Sequence, residues 1–413
     1  MNAASAPPGT AGGMLAGVKV VDLTSVVIGP LATQILADHG ATIIKVESPE
    51  GDVGRFLGGR GKSPGMAPKF LHLNRNKRSI CLDLKHPDGH AALLKILADA
   101  DVMTWNVRPD SMARMRLSYE DVCRVKPNII YCGMFGFGQR GRYAKVPAYD
   151  PVVQGAGGVA GLFERAFGEP RFVPYVLADR TGGLIAVQMI AMALFNRERT
   201  GRGQSIEVPM FENMATQVLT EHLYHHTYVP PIGTPGDPRL VSPHYTPLKT
   251  ADGYISITAN TNAQVFPLFD AMGLSHLKTD PRFDSVASRF ANVQEYFRLR
   301  SEGMKTRTSA EWMAICREHD IPAAPYHTLE SLIEDPHLAD VGFLVEREHP
   351  TEGRILDLKP ANTLSGGARN DWLPAPHLGE QTRDILIEAG YADAEIDALI
   401  ESGAARVHVP PAA

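Results

Sequence analysis

Cysteine, surplus cationic charge and long apolar runs are all scarce in this 413-residue chain, and each shortage excludes something. Its four cysteines, Cys81, Cys123, Cys132 and Cys316, are scattered without CxxC spacing. That argues against a disulfide scaffold or a thiolate zinc site and fits a reducing compartment. Lys and Arg number 41 against 46 Asp and Glu, a formal net charge of −5. No cation surplus exists to neutralise phosphates, so nucleic acid is not an expected partner. The longest apolar run, Gly182 to Phe195, contains Gln188 and is shorter than the roughly 20 residues of a membrane span, so no membrane partner is expected either. The N-terminal MNAASAPPGTAGGM has neither the positive segment nor the apolar segment of a secretory signal. It reads as a disordered tail over residues 1–14, and the chain as cytoplasmic.

What is present is ordinary globular material. Hydrophobic residues make up 44% and charged residues 21%, enough for a core and too apolar for a disordered chain. The length suits two or three domains, or one large domain with an inserted smaller one.

Strand and helix signals alternate through the first half. VKVVDL (18–23) is short, β-branched and apolar, as a buried strand is. Pro30 suits the first turn of a helix over Leu31–Asp38, with Gly40 just past its end. Strands are expected at 41–46, 101–105 and 129–132, and an amphipathic helix at 87–99. Ser118 with Asp121 three positions on resembles a capping box. The alternation argues for a parallel α/β sheet. Beyond Asp150, a Gly-rich stretch (155–161) precedes the helix 182–195, apolar nearly all round and so expected to be buried. RERTGRG (197–203) reads as an exposed turn and Gln204–Pro209 as a strand. Tyr228 to Pro247 carries six prolines and reads as a connector. Residues 240–330 read as a smaller second domain.

Few chemical motifs stand out. A GxGxxG at Gly136, Gly138 and Gly141 is followed by RYAKVPAYDP, which opposes the helix a dinucleotide fingerprint requires, so it reads as a plain glycine loop. His222, His225 and His226 cluster without a carboxylate pair at ligand spacing, and no metal site is expected. No GxSxG elbow occurs. Asp179, in LADRTGG before the apolar helix, admits two readings. It is an N-cap accepting backbone N–H groups. Alternatively it is an ionised carboxylate, held by the helix dipole and free N–H groups, that attacks an activated carbonyl. Gly182 and Gly183 would then let backbone approach a ligand closely.

From Leu15 to about Gly403 the chain resembles the class III CoA-transferases, the CaiB/BaiF family that includes formyl-CoA:oxalate CoA-transferase. The resemblance is carried by LAGVKVVDLTSVVIGPLATQ, ADHGATIIKVESPEGD, LNRNKRSICLDLKHPDG, ADVMTWNVRPDSMARM, YDPVVQGAGG, LADRTGG, TGRGQSIEVPMFE, YTPLKTADGYISI, DPRF, DPHL and APHLGEQT. It implies an α/β fold: a Rossmann-like parallel-sheet large domain from both chain ends (15–225 and 331–413), an inserted smaller α+β domain (240–330), and an interlocked homodimer. It implies no permanently bound cofactor. Coenzyme A and acyl-CoA are substrates, with a carboxylic acid as acceptor, and Asp179 is the catalytic carboxylate. It carries CoA contacts onto Val27, Ile28, Leu82, Lys85, Asn106, Val107, Arg108, Arg114 (on the diphosphate) and Lys145, and places Leu57 and Tyr149 near the substrate. The sequence departs from the formyl-CoA transferases at Val27 (Gln there), Leu57 (Trp) and Ser48 (Arg), and a tetraglycine loop is missing, which disfavours oxalate as the acceptor. It departs from the sister 2-methylacyl-CoA racemases at Ala148–Tyr149–Asp150, where they carry GHD. A racemase or epimerase, and a non-catalytic acyl-CoA-binding homologue, stay as alternatives.

Overall fold

The computed structural model describes residues 12–365 and 371–409. They fall into two compact units. The first gathers the described residues of Met1–Gln154, Pro174–Met214 and Asp340–Ala413; the second gathers Gly155–Val173 and Ala215–Ala339.

The first unit is built on a parallel sheet. Its strands are β1 (Lys19–Leu23), β2 (Thr42–Glu47), β3 (Lys77–Leu82), β4 (Val102–Trp105), β5 (Ile130–Phe135) and β6 (Gln204–Pro209), in the order β3-β2-β1-β4-β5-β6. Most are apolar runs buried on both faces, as parallel strands covered by helices must be. A last short strand, Ala405–Arg406, pairs antiparallel with β3. Chain direction reverses its progress between β1 and β4, and that reversal opens a crevice at the carboxyl ends of these two strands.

The helices of this unit are α1 (Ile28–Asp38), α2 (Pro68–Asn74), α3 (Pro87–Leu97), α4 (Pro109–Arg114), α5 (Tyr119–Cys123), the start of α6 (Asp150–Ala156), α8 (Leu177–Thr200) and the start of α9 (Met210–His222), while α7 (Val159–Phe167) belongs to the second unit. Proline opens α2, α3 and α4, where its missing N–H costs nothing. The Ser118–Asp121 capping box forms as the spacing predicts. One core cluster joins Val21, Ile44, Ile80 and Leu82 of the sheet to Leu93 and Leu97 of α3 and to Ile385, Leu386, Ile396 and Leu399 near the C-terminus. α8 packs on α1, β5 and β6.

Full burial of α8 is not observed. The helix is longer than the apolar run, and Leu184, Met192 and Phe195 are at least half exposed. α1 and the sheet cover the face of Gly182, Gly183, Ala186, Ile190 and Ala193. An all-apolar helix gives no periodicity to say which face that will be. By length and composition α8 is also the one helix among the described residues that could cross a membrane, but it serves here as the crossover helix between β5 and β6.

In the second unit β7 (Leu248–Lys249), β8 (Tyr254–Ile257) and β9 (Ala323–Pro325) form an antiparallel sheet. It shares a core with Val265, Phe269, Phe283, Phe297 and Trp312 from the surrounding helices.

Candidate active site at the carboxyl edge of the sheet

β1 delivers the chain into a tight loop, Thr24–Val27, before α1. Gly29, the second residue of α1, sits against that loop with no room for a side chain: a Cβ there would collide with Thr24 Cβ. Val26 has φ +69°, a left-handed conformation that costs a β-branched residue about 1–3 kcal/mol. Buried charge holds it. Asp52 accepts the N–H groups of Val26 (3.0 Å) and Gly54 (2.7 Å) and pairs with Lys45 at 2.8 Å. Lys45 also donates to the Thr24 carbonyl at 2.9 Å. Beside it Glu47 takes a two-pronged guanidinium contact from Arg55, both bonds 2.7 Å. Lys77 donates to Pro30 O, Asn74 and Asp22; burial pulls its pKa down to about 8 against the opposing charge of Asp22. Every charged group of this web is almost completely buried. Such groups persist only when paired.

The residues expected to contact CoA fall at several points of the first unit. Val27 and Ile28, both buried, begin α1, whose start has no side-chain cap. Leu82 ends β3 with its side chain buried, and Lys85 follows it, exposed. Asn106, just past β4, clamps the crevice: its amide accepts from Ser25 N (2.9 Å) and donates to Ser25 O (2.8 Å). Val107 and Arg108 are exposed beyond it. Arg114, at the end of α4, is exposed and touches Ser111 Oγ. Lys145 and Tyr149 lie exposed in the long connection after β5. Leu57 is 43% exposed, past the turn Val53–Phe56. The glycines of the GxGxxG fall in that connection after β5, where Gly138 N donates to the Glu212 carboxylate; the next helix is α6.

α8 runs back along the sheet, so its N-terminus lies at the same edge. Gly182 and Gly183 seat it on α1: a Cβ on Gly182 would come 2.7 Å from Ile28 Cδ1, and one on Gly183 2.8 Å from the Ile28 carbonyl oxygen. These glycines let α1 and α8 pack closely. Asp179 sits one turn earlier, beside the start of α1.

Asp179 is not the cap of α8. Asp150, at the start of α6, does that from a distance: its Oδ1 accepts from Ala178 N (2.6 Å) and Asp179 N (3.2 Å), and its Oδ2 accepts from Gln154. The Asp179 carboxylate accepts no hydrogen bond among the described residues and is half-buried. Nor is it held ionised by free N–H groups, as expected. Burial first, then the charge of Asp150, push its pKa up to about 7, with Lys69 and Arg180 pulling the other way.

Over residues 15–382 the sequence matches the family described as CoA-transferase family III. The chain belongs to CoA-transferase family III. It is 32% identical over 404 residues to the succinyl-CoA:glutarate CoA-transferase of Mus musculus, covering 95% of this chain and 91% of that protein. It is 32% identical over 417 residues to the formyl-CoA:oxalate CoA-transferase of Bradyrhizobium sp. strain ORS 278, covering 94% and 97%. A CaiB/BaiF family protein from Brucella suis superposes with a TM-score of 0.77 at 30% identity, over 92% of this chain and all of that one. The protein is a class III CoA-transferase.

Sequence reasoning about this CoA-transferase missed Lys45, Asp52, Lys69 and the capping role of Asp150. Lys45 left one signal, a charge inside the apolar strand TIIKVE.

Proposed function

We propose that this CoA-transferase works through covalent catalysis by Asp179. A carboxylate oxygen attacks the thioester carbonyl of a donor acyl-CoA; the C–S bond breaks, leaving an acyl-aspartyl anhydride and CoA thiolate. The thiolate attacks the aspartyl carbonyl, the anhydride C–O bond breaks, and the donor acid leaves behind an aspartyl-CoA thioester. The acceptor carboxylate attacks that thioester and expels the thiolate. Attack of the thiolate on the acceptor's acyl carbon then yields the new acyl-CoA and restores Asp179. The thioester bond energy is conserved throughout, provided water is kept from the intermediates.

The observation that carries this reading is the free Asp179 carboxylate beside the start of α1, its local N–H groups already satisfied by Asp150. CoA would run along the carboxyl edge over the backbone of Val27 and Ile28. Leu82, Lys85, Asn106, Val107, Arg108 and Lys145 would lie alongside, with the Arg114 guanidinium on the diphosphate. Intact-mass analysis and peptide mapping after incubation with acyl-CoAs and hydroxylamine test it. A hydroxamate on Asp179, dependent on acyl-CoA, is expected. Absence of any adduct together with α-proton exchange in deuterated water would instead establish a racemase.

The exposed apolar stripe of α8, Leu184, Met192 and Phe195, supports a homodimer as the working form, in the interlocked arrangement the resemblance implies. Sedimentation equilibrium should give about twice the chain mass.

A further inference from the structure

Lys69 is the second residue of α2, and Leu73 stands one turn further along the same face. Leu73 is buried with Val27 and Leu31, and Val26 and Val176 pack against them. Val176 immediately precedes α8. The face of α2 that carries Lys69 is therefore turned toward the crevice loop and the first turn of the helix that bears Asp179.

The stem of Lys69 is fixed from the other side. Gly58 has φ +84°, and a Cβ on it would stand 3.1 Å from Lys69 Cε and 3.2 Å from Lys69 Cβ. The glycine backbone thus lies along the aliphatic chain. Other buried or partly buried cations of this segment are engaged, Arg55 by Glu47, Arg75 by Asp38, and Lys77 by Asp22 and Asn74; Lys62 donates to Glu352 O, and Arg60 is exposed. Lys69 is half-buried, and its ammonium has no hydrogen bond or ion pair among the described residues. A cation on a fixed stem without a partner is suited to an incoming anion. Phe56 and Leu57, exposed just before Gly58, add apolar surface suited to methylene groups.

We propose that Lys69 is the specificity-determining residue of the acyl site, its ammonium receiving the far carboxylate of a short dicarboxylic acyl group whose other carbonyl faces Asp179. The proposal rests on Asp179 being the acyl acceptor. Leu73, one turn past Lys69, and Val176, just before the turn of Asp179, pack in one cluster, and the Lys69 charge opposes the rise of the Asp179 pKa.

The test compares succinyl-CoA and glutaryl-CoA with butyryl-CoA and pentanoyl-CoA in the wild type, Lys69→Met and Lys69→Arg. Wild type should prefer the dicarboxylic probes. Lys69→Met should lower the glutaryl-to-pentanoyl ratio of kcat/KM by about 10- to 100-fold, the worth of one charge-assisted hydrogen bond, and mainly through KM. Lys69→Arg should restore most of the ratio. Equal loss on all four probes, with a shifted pH profile, would mean that Lys69 only tunes Asp179, and would overturn the proposal. So would a wild type without preference. Hydroxylamine trapping separates the two levels. A hydroxamate on wild-type Asp179 from all four probes, at rates indifferent to Lys69→Met, sinks the role of Lys69 alone. No hydroxamate from any probe sinks the Asp179 reading and this one with it.

Discussion

Asp150 and Asp179 share one helix start: the first takes the backbone N–H groups of Ala178 and of Asp179 itself, and the second is left with a carboxylate that none of those groups reaches. The pair gives one acid a structural task and raises the pKa of the other to about 7, burial contributing most and the charge of Asp150 next. A carboxylate so placed is more basic than an ordinary aspartate and is half ionised near neutrality.

Replacing Asp150 by Asn separates cap from charge. The amide oxygen still accepts the two N–H bonds, while the negative charge is gone. Asp179 should then ionise at lower pH. If Asp179 is the attacking group, the kcat/KM profile for CoA exchange should rise through about pH 7 in the wild type, and its rising limb should move downward in Asp150→Asn. An unmoved limb would mean that another group titrates. Asp150→Ala should also lose the cap, at about 0.5–2 kcal/mol of stability.

Asp179→Asn should stabilise the fold, and more so at high pH. The folded carboxyl has a pKa near 7 against an ordinary 3.8. Its favourable contribution is therefore complete below pH 3.8 and is lost as pH rises through 7. Asn has no such loss. The variant's advantage in urea denaturation should grow between pH 5 and pH 8 by on the order of 1–2 kcal/mol, allowing for solvent screening of a half-buried group. A pH-independent difference would contradict the assignment.

Gly183→Ala should damage both stability and activity. The new methyl would stand 2.8 Å from the Ile28 carbonyl oxygen, a backbone atom that cannot swing aside, so α1 and α8 must part. A cost of about 1–3 kcal/mol is expected. Gly161→Ala, on exposed α7 with nothing within 4 Å, should instead be neutral or stabilising. Thermal unfolding of the two variants decides it.

Asp52→Ala should be among the most destabilising changes in the first unit. It strands the buried Lys45 ammonium and two backbone N–H groups at once, at about 3–5 kcal/mol. It also releases Val26 from its left-handed conformation. Affinity for CoA, measured by calorimetry, should fall with it if the loop lines the CoA site. A variant as stable as wild type would show that the web is dispensable.

Much of the sheet was legible because its order is local. Strand 19–23 shows in five consecutive residues, and the Ser118 cap in four. The face α8 buries was not, since Leu184 and Ile190 read alike in a helix apolar all round; only α1 decides between them. Asp179 was legible as a carboxylate at a helix start, but its state depends on Asp150, 29 residues earlier. The web under the crevice was invisible for the same reason: Arg55 meets Glu47 nearby but Pro376 only across 321 residues, and no periodicity links them.

That last separation has a consequence on the ribosome. β3 gains its outer neighbour only when Ala405 and Arg406 emerge, and Arg55 meets the Pro376 carbonyl only after more than 300 further residues are made. The crevice edge at Leu82 and the charges behind it therefore cannot mature during most of translation. A chain cut short by a few tens of residues would keep Asp179 yet lack part of its scaffold, so release of unfinished product would not release a working enzyme.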